Sequence, residues 1–401
     1  MILLKSLFLG VVVFAFGVNH ASAQYINHLQ KYYSDVIERH NNSIFDTKAL
    51  TPVDEGDELQ WAFASTISSE LKIFETGRLN TMLTKLKPNV PVTDPFAVEW
   101  IAEFSDYAGF DGDPYPFSVD VEDVYYIKGN RRSSGYILCG RILQPKSNGS
   151  TKSYGFLLRL DRNGHFLRAK YYKKVSVFKS VVETNKRGKG FVAVGMSQFP
   201  EDPTAQWGTV RDAIYVQVKE DLKPKCAFET EGIFFGMPPP PDSDGVDSTW
   251  NKVIQYNVQG GNFISRGSGY AIVGDTHFNP TGFARRDRDV IVGVVGEKCK
   301  PRWIKQYGGQ LLTDTRWFET GNSIAQFHKR KGGLVITGNT NNKPPGAGPS
   351  TVDDVLVFRV DSVGDLEWMR HFNVRPDPVC YNDCFRCTLS LTHFKFILTI
   401  N

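Results

Sequence analysis

Beyond residue 18 the chain holds no second long apolar run, so no mature segment is a first choice for a membrane-spanning helix. Charge of one sign is lacking too. Lys and Arg number 47 against 43 Asp and Glu, a net of +4, which gives no clustered basic footprint for nucleic acid. Local catalytic signatures are missing as well. There is no Gly-x-Ser-x-Gly, no His-Glu-x-x-His and no phosphate loop, and the 8 histidines are scattered. A site assembled from distant segments is not excluded by these absences. Cysteine is scarce, with 6 in 401 residues.

What is present begins with a leader. Lys5 supplies a positive start, Leu7 to Val18 an apolar stretch, and Ala21-Ser22-Ala23 a small-residue cleavage site before Gln24. Residues 1–23 therefore read as a signal peptide, and the expected location is secreted and extracellular. In that oxidising setting Cys226, Cys299, Cys380, Cys384 and Cys387 are disulfide candidates, with connectivity left open. Cys139 reads as a small, inert core side chain. The sequons at Asn41 and Asn148 become glycosylation candidates, the second in a polar run between two predicted strands.

A repeat organises the rest. Gly135-Tyr136-Ile137-Leu138-Cys139-Gly140, Gly190-Phe191-Val192-Ala193-Val194-Gly195, Gly269-Tyr270-Ala271-Ile272-Val273-Gly274 and Gly333-Leu334-Val335-Ile336-Thr337-Gly338 share one pattern. They start 55, 79 and 64 residues apart. A strand candidate precedes each: Val121 to Ile127, Val175 to Val182, Trp250 to Val258 and Asn322 to His328. An apolar strand follows, led by Asp212, Asp289 or Asp354, or in one copy by Gly155. An acidic turn with glycine then leads into a strand carrying Trp or another aromatic, as in Asp361-Ser362-Val363-Gly364-Asp365-Leu366-Glu367-Trp368. Four short strands per unit make a propeller blade. The glycine-bounded strands are apolar on both faces, as stacked blades require and a half-solvated sheet does not.

The expected fold is all-β, a single β-propeller of about six four-stranded blades, alternatively five, with a short helix over 26–37. Its parts are a lead-in at 24–50, the propeller at 51–379, and a Cys-containing tail at 380–401. The stretch from Asp54 to Trp61 matches the acidic turn before an outer strand, and residues 97–104 read as another outer strand. The cycle of glycine-bounded strand, Asp-led strand, Asp-x-x-Gly turn and Trp resembles secreted β-propeller repeat proteins known mostly from bacteria. The resemblance covers 119–373 well and 50–118 poorly. It implies architecture and no particular activity.

Several constellations invite chemistry. Asp242, Asp244 and Asp247 offer hard oxygen ligands at loop spacing for calcium, against the plainer reading of a solvated loop. The same stretch narrowly misses a sialidase box, with Gly245 where an Asp belongs. Asp212, Asp289 and Asp354 would form a carboxylate ring, or would serve the backbone where each chain enters a strand. Cys380, Cys384 and Cys387 with His393 have the look of a zinc site, which secretion disfavours. The reading adopted from these absences is a secreted non-catalytic protein, a binding or matrix scaffold component with an extracellular protein or glycan partner and no cofactor. The alternatives are a lectin-like glycan binder using Trp207 or Trp317, and a channel-mouth hydrolase or lyase.

Overall fold

The computed structural model describes residues 43–54, 59–69, 79–87, 98–104, 118–128, 134–145, 151–185, 189–197, 212–230, 248–258, 267–276, 288–308, 319–328, 332–340 and 354–372. They form five four-stranded antiparallel sheets, each a meander in chain order. The first comprises β1 (Ser43–Asp54), β2 (Leu59–Ser69), β3 (Leu79–Leu86) and β4 (Val98–Phe104). The second comprises β5 (Ser118–Ile127), β6 (Gly135–Pro145), β7 (Thr151–Asp161) and β8 (Phe166–Tyr172). The third comprises β9 (Val175–Glu183), β10 (Phe191–Ser197), β11 (Ala213–Val218) and β12 (Pro224–Glu229). The fourth comprises β13 (Ser248–Val258), β14 (Gly267–Thr276), β15 (Asp289–Gly296) and β16 (Pro301–Tyr307). The fifth comprises β17 (Glu319–His328), β18 (Gly332–Thr340), β19 (Asp354–Val360) and β20 (Leu366–Phe372).

Repeated four-stranded meanders packed face to face define a β-propeller. Four apolar cores join the five sheets in sequence. Ala62 and Leu83 meet Tyr136 and Phe156 between the first two. Ile137 and Leu157 meet Phe178 and Val216 at the next seam. Tyr215 and Val194 meet Trp250 and Tyr270 at the third, and Ala271 and Val292 meet Ile324 and Phe358 at the fourth. Tyr136 and Leu138 belong to one core while Ile137 and Cys139 belong to the next. That split is why the glycine-bounded strands read as apolar throughout. Each such side chain, fully buried, contributes roughly 1.5–3 kcal/mol.

The second glycine of the repeat has a steric cause. A Cβ on Gly140 would lie 2.0 Å from the Asp120 carbonyl oxygen, and one on Gly274 1.8 Å from that of Thr249. The inner strand comes this close because it is bulged. One extra residue is inserted opposite the glycine: Glu122 on β5, Lys179 on β9, Asn251 on β13 and Asn322 on β17. β1 has the same irregularity at Lys48.

The acidic turns led by Asp161 and Asp361 are Asx turns. Asp161 Oδ1 accepts the Asn163 and His165 amides at 2.8 Å each, and Asp361 Oδ1 accepts those of Val363 at 2.9 Å and Asp365 at 2.8 Å. These turns also clasp the ring. At one register position the outer strands β4, β8, β12 and β16 each meet the turn of the following sheet. Trp100 packs where a Cβ on Gly164 would come within 2.7 Å of its ring. Arg168 Nη1 donates to the Asp221 carbonyl at 3.2 Å. Trp303 Nε1 donates to the Ser362 carbonyl at 3.1 Å. In the third sheet the position holds Cys226, which is disulfide-bonded to Cys299 in the turn of the fourth.

Two sequence expectations change here. β1 starts at Ser43, inside the segment assigned to a lead-in. Trp61 is on the second strand of its sheet, opposite Pro52, so the turn after Asp54 is the first hairpin and not an outer one. An acidic turn before Trp is ambiguous when the glycine pair that would fix the strand's place is missing. The outer strand expected at 97–104 is present as β4. No helix occurs among the described residues, and none is long and apolar enough to cross a membrane. The expected helix at 26–37 and the tail at 380–401 lie outside them.

Candidate functional site on the inner strands

The bulges aim polar side chains inward, the usual effect of an inserted residue on its strand. Four inner strands carry a polar pair at the bulge: Glu122-Asp123, Lys179-Ser180, Asn251-Lys252 and Asn322-Ser323. These pairs meet across sheets. Lys179 Nζ lies 2.7 Å from Glu122 Oε1. Asp123 Oδ2 accepts Ser180 Oγ at 2.7 Å, Lys252 Nζ at 2.6 Å and the Val181 amide at 3.3 Å. Lys252 thus reaches from the fourth sheet to the second, which requires that the inner strands converge on one axis. Asn251 Nδ2 donates to Asp275 Oδ1 at 2.7 Å and to the Gly321 carbonyl at 3.0 Å, tying the fourth sheet to the fifth. On the other side Asp120 takes Thr66 Oγ1 and Arg141 Nε, both at 2.9 Å.

The charges balance locally, and one acid stands apart. Burial pushes the Asp275 carboxyl above its ordinary range, although Arg288 at 3.3 Å, Asn251 and the nearby Lys179 all favour its charged form. Glu319, at the start of β17, is raised as well. Its carboxyl is pushed up to about 7 by burial and by Asp289 beside it. Its Oε2 is buried without a hydrogen-bond partner. Burial likewise pushes the Cys139 thiol up, beside Asp123, so this cysteine is not a poised nucleophile.

All these acids lie toward one end of the sheets. That end receives the long connections, from Ser197 to Ala213, Glu229 to Ser248, Thr276 to Asp289, Tyr307 to Glu319 and Thr340 to Asp354. The opposite end carries the short turns of four or five residues between the third and fourth strands of the second to fifth sheets. Long loops over a rigid ring are where function is usually placed.

The residues singled out from sequence fare unevenly. Asp242, Asp244, Asp247, Asn41, Asn148, Trp207, Trp317, Cys380, Cys384 and Cys387 lie outside the described residues. Asp212, Asp289 and Asp354 sit at equivalent strand starts in three sheets. Among the described residues no group of three His, Cys, Asp or Glu is placed to hold a metal. The Asp212 carbonyl accepts the Ser197 amide while the Asp212 amide donates to Ser197 Oγ, and the Asp289 carboxylate accepts from Gln306. The inner-strand cluster was missed. Its signal was present, as a polar doublet inside an apolar strand upstream of each glycine pair.

No family model matches the chain, and no curated protein matches it. Solved structures do. A thermostable family-43 glycoside hydrolase is similar at 10% identity and TM-score 0.37, over 84% of this chain and 96% of that one. The Pan2 WD40 domain of Neurospora crassa is similar at 8% and 0.36, over 82% and 72%. An exo-β-1,3-galactanase from Clostridium thermocellum is similar at 9% and 0.26, over 79% and 78%. Likeness this distant concerns architecture and transfers no activity. The expectation of a non-catalytic matrix scaffold is nevertheless corrected. The inner strands gather Glu122, Asp123 and Asp275 with Lys179 and Lys252, a set of paired acids and amines of the kind a catalytic site uses.

Proposed function

We propose that this chain is a secreted glycan hydrolase acting at the axial end of its inner strands. The observation that carries the reading is the convergence of Asp275, raised by burial, with Glu122 and its Lys179 partner. Glycoside hydrolysis needs two carboxyl groups in different protonation states. Asp275 is the proton donor: its proton goes to the departing glycosidic oxygen as the bond to the anomeric carbon breaks. Glu122 takes a proton from the water whose oxygen bonds to that carbon. Lys179 and Asn251 position the two acids.

Secretion is supported by residues 1–23 and by the Cys226–Cys299 disulfide, which suits an oxidising compartment. Asn41 and Asn148 would carry glycans there. The test is hydrolysis of polysaccharides and aryl glycosides by the secreted chain and by its Asp275→Asn and Glu122→Gln variants. Each variant is expected to lose about 10²–10⁴-fold in rate, the usual worth of a general acid or base. Wild-type binding of a sugar without turnover would replace the hydrolase with a lectin-like binder. Unchanged rates in both variants would remove the site.

A further inference from the structure

The clasp between sheets is complete at four seams and open at a fifth. Trp100, Arg168, Cys226 and Trp303 occupy one register position and each meets the next sheet's turn. On β20 that position is Trp368, opposite Arg359 beside the same irregularity that sets Trp303 opposite Val294. Phe372 aligns in the same way with Tyr172 and Tyr307. Those tyrosines are 8% exposed, and each hydroxyl donates at 2.6 Å to a carbonyl of the following turn, Leu222 or Gly364. Phe372 is 54% exposed, Trp368 38% and Leu366 49%. A lone exposed apolar side chain is ordinary. Leu366 matches Phe166, which is exposed at a closed seam, but Trp368 and Phe372 hold positions used elsewhere as a seam and mark an interaction face.

We propose that residues 373–401 of this chain cover that face and continue the ring past the fifth sheet. At every closed seam the cover comes from the part of the chain that follows the strand in sequence, and residue 373 follows directly on Phe372. Among the described residues the first sheet supplies no such cover. Each sheet packs on the next through β5, β9, β13 or β17, and among the described residues no comparable packing joins the fifth sheet to the first. The segment also has matching chemistry, with Phe394, Phe396, Ile397, Leu398 and Ile400 close together. Burying such a face against them follows from the area of apolar surface removed from water.

The experiment uses the full-length secreted chain with Trp368 replaced by the photocrosslinking residue p-benzoylphenylalanine. The same replacement at Trp303 is the control and must link to the turn at Ser362 to Gly364. After irradiation at low concentration, peptides are mapped by mass spectrometry. The proposal expects an intramolecular link from position 368 into 373–401. A link to residues 87–97 would mean that the first sheet closes the ring. A link to a second copy would make the face a dimer interface. Either result overturns the proposal, and so does no link at 368 when the control succeeds.

Discussion

Lys252 on β13 and Asp123 on β5 meet across the axis of the ring, Nζ to Oδ2 at 2.6 Å, although a whole sheet intervenes in the chain. The pair is 20% and 4% exposed. A buried carboxylate that loses its cation is left uncompensated, at a cost of roughly 3–5 kcal/mol. Replacing Lys252 with Met is therefore expected to lower the melting temperature by several degrees. Adding Asp123→Asn to the same chain recovers part of the loss. Thermal unfolding of the two variants checks this, and additive losses would contradict the coupling.

Glu319 makes stability depend on pH. Its carboxyl titrates at about 7 in the folded chain, above the 4.5 of the free group. The folded state thus holds a proton that the unfolded state releases, and stability falls as pH rises from 4.5 to 7. The full penalty, roughly 3 kcal/mol, is present above that range. Glu319→Gln removes it. Melting temperatures at pH 5 and pH 8 are expected to differ less in the variant than in the parent, and equal differences would show that Glu319 is not the titrating group.

Gly274, opposite the β13 bulge, has no room for a side chain, while Gly296 on the neighbouring strand has. Gly274→Ala drives a methyl into the Thr249 carbonyl, whereas the nearest atom to a Cβ on Gly296 is 3.5 Å away. Gly274→Ala is expected to cost more than 2 kcal/mol and Gly296→Ala less than about 1. Denaturant midpoints decide it, and similar costs at both sites would mean the bulge yields.

The Cys226–Cys299 link replaces an aromatic clasp between the third and fourth sheets. Its loss is expected to destabilise by roughly 2–4 kcal/mol. The Cys226→Ser, Cys299→Ser double variant should melt lower than the oxidised parent and should not respond to reductant. A parent whose melting temperature ignores reductant would contradict the pairing.

The architecture was legible because the repeat is steric. The second glycine, the Asx turn and the four-strand cycle are each forced by local geometry, so they recur in recognisable form. The first sheet was harder. Its second strand has Ser65 where the others have the bulge-facing glycine, and without that marker the turn after Asp54 resembled an outer hairpin. The polar site was harder still. Lys179 and Glu122, or Lys252 and Asp123, are partners only because separate sheets share an axis. No local spacing encodes that. The pairing of Cys226 with Cys299 is the same kind of fact: both sit at the clasp, and only the register of the outer strands reveals it.

The most direct test is release of new reducing ends by the wild-type chain across a polysaccharide panel, with thermal shift recorded in parallel. The account predicts that one polysaccharide class both raises the melting temperature and is cleaved, and that Asp275→Asn retains the shift while losing cleavage. A panel with no reducing ends from any substrate, for a chain that is folded and monodisperse, would contradict it.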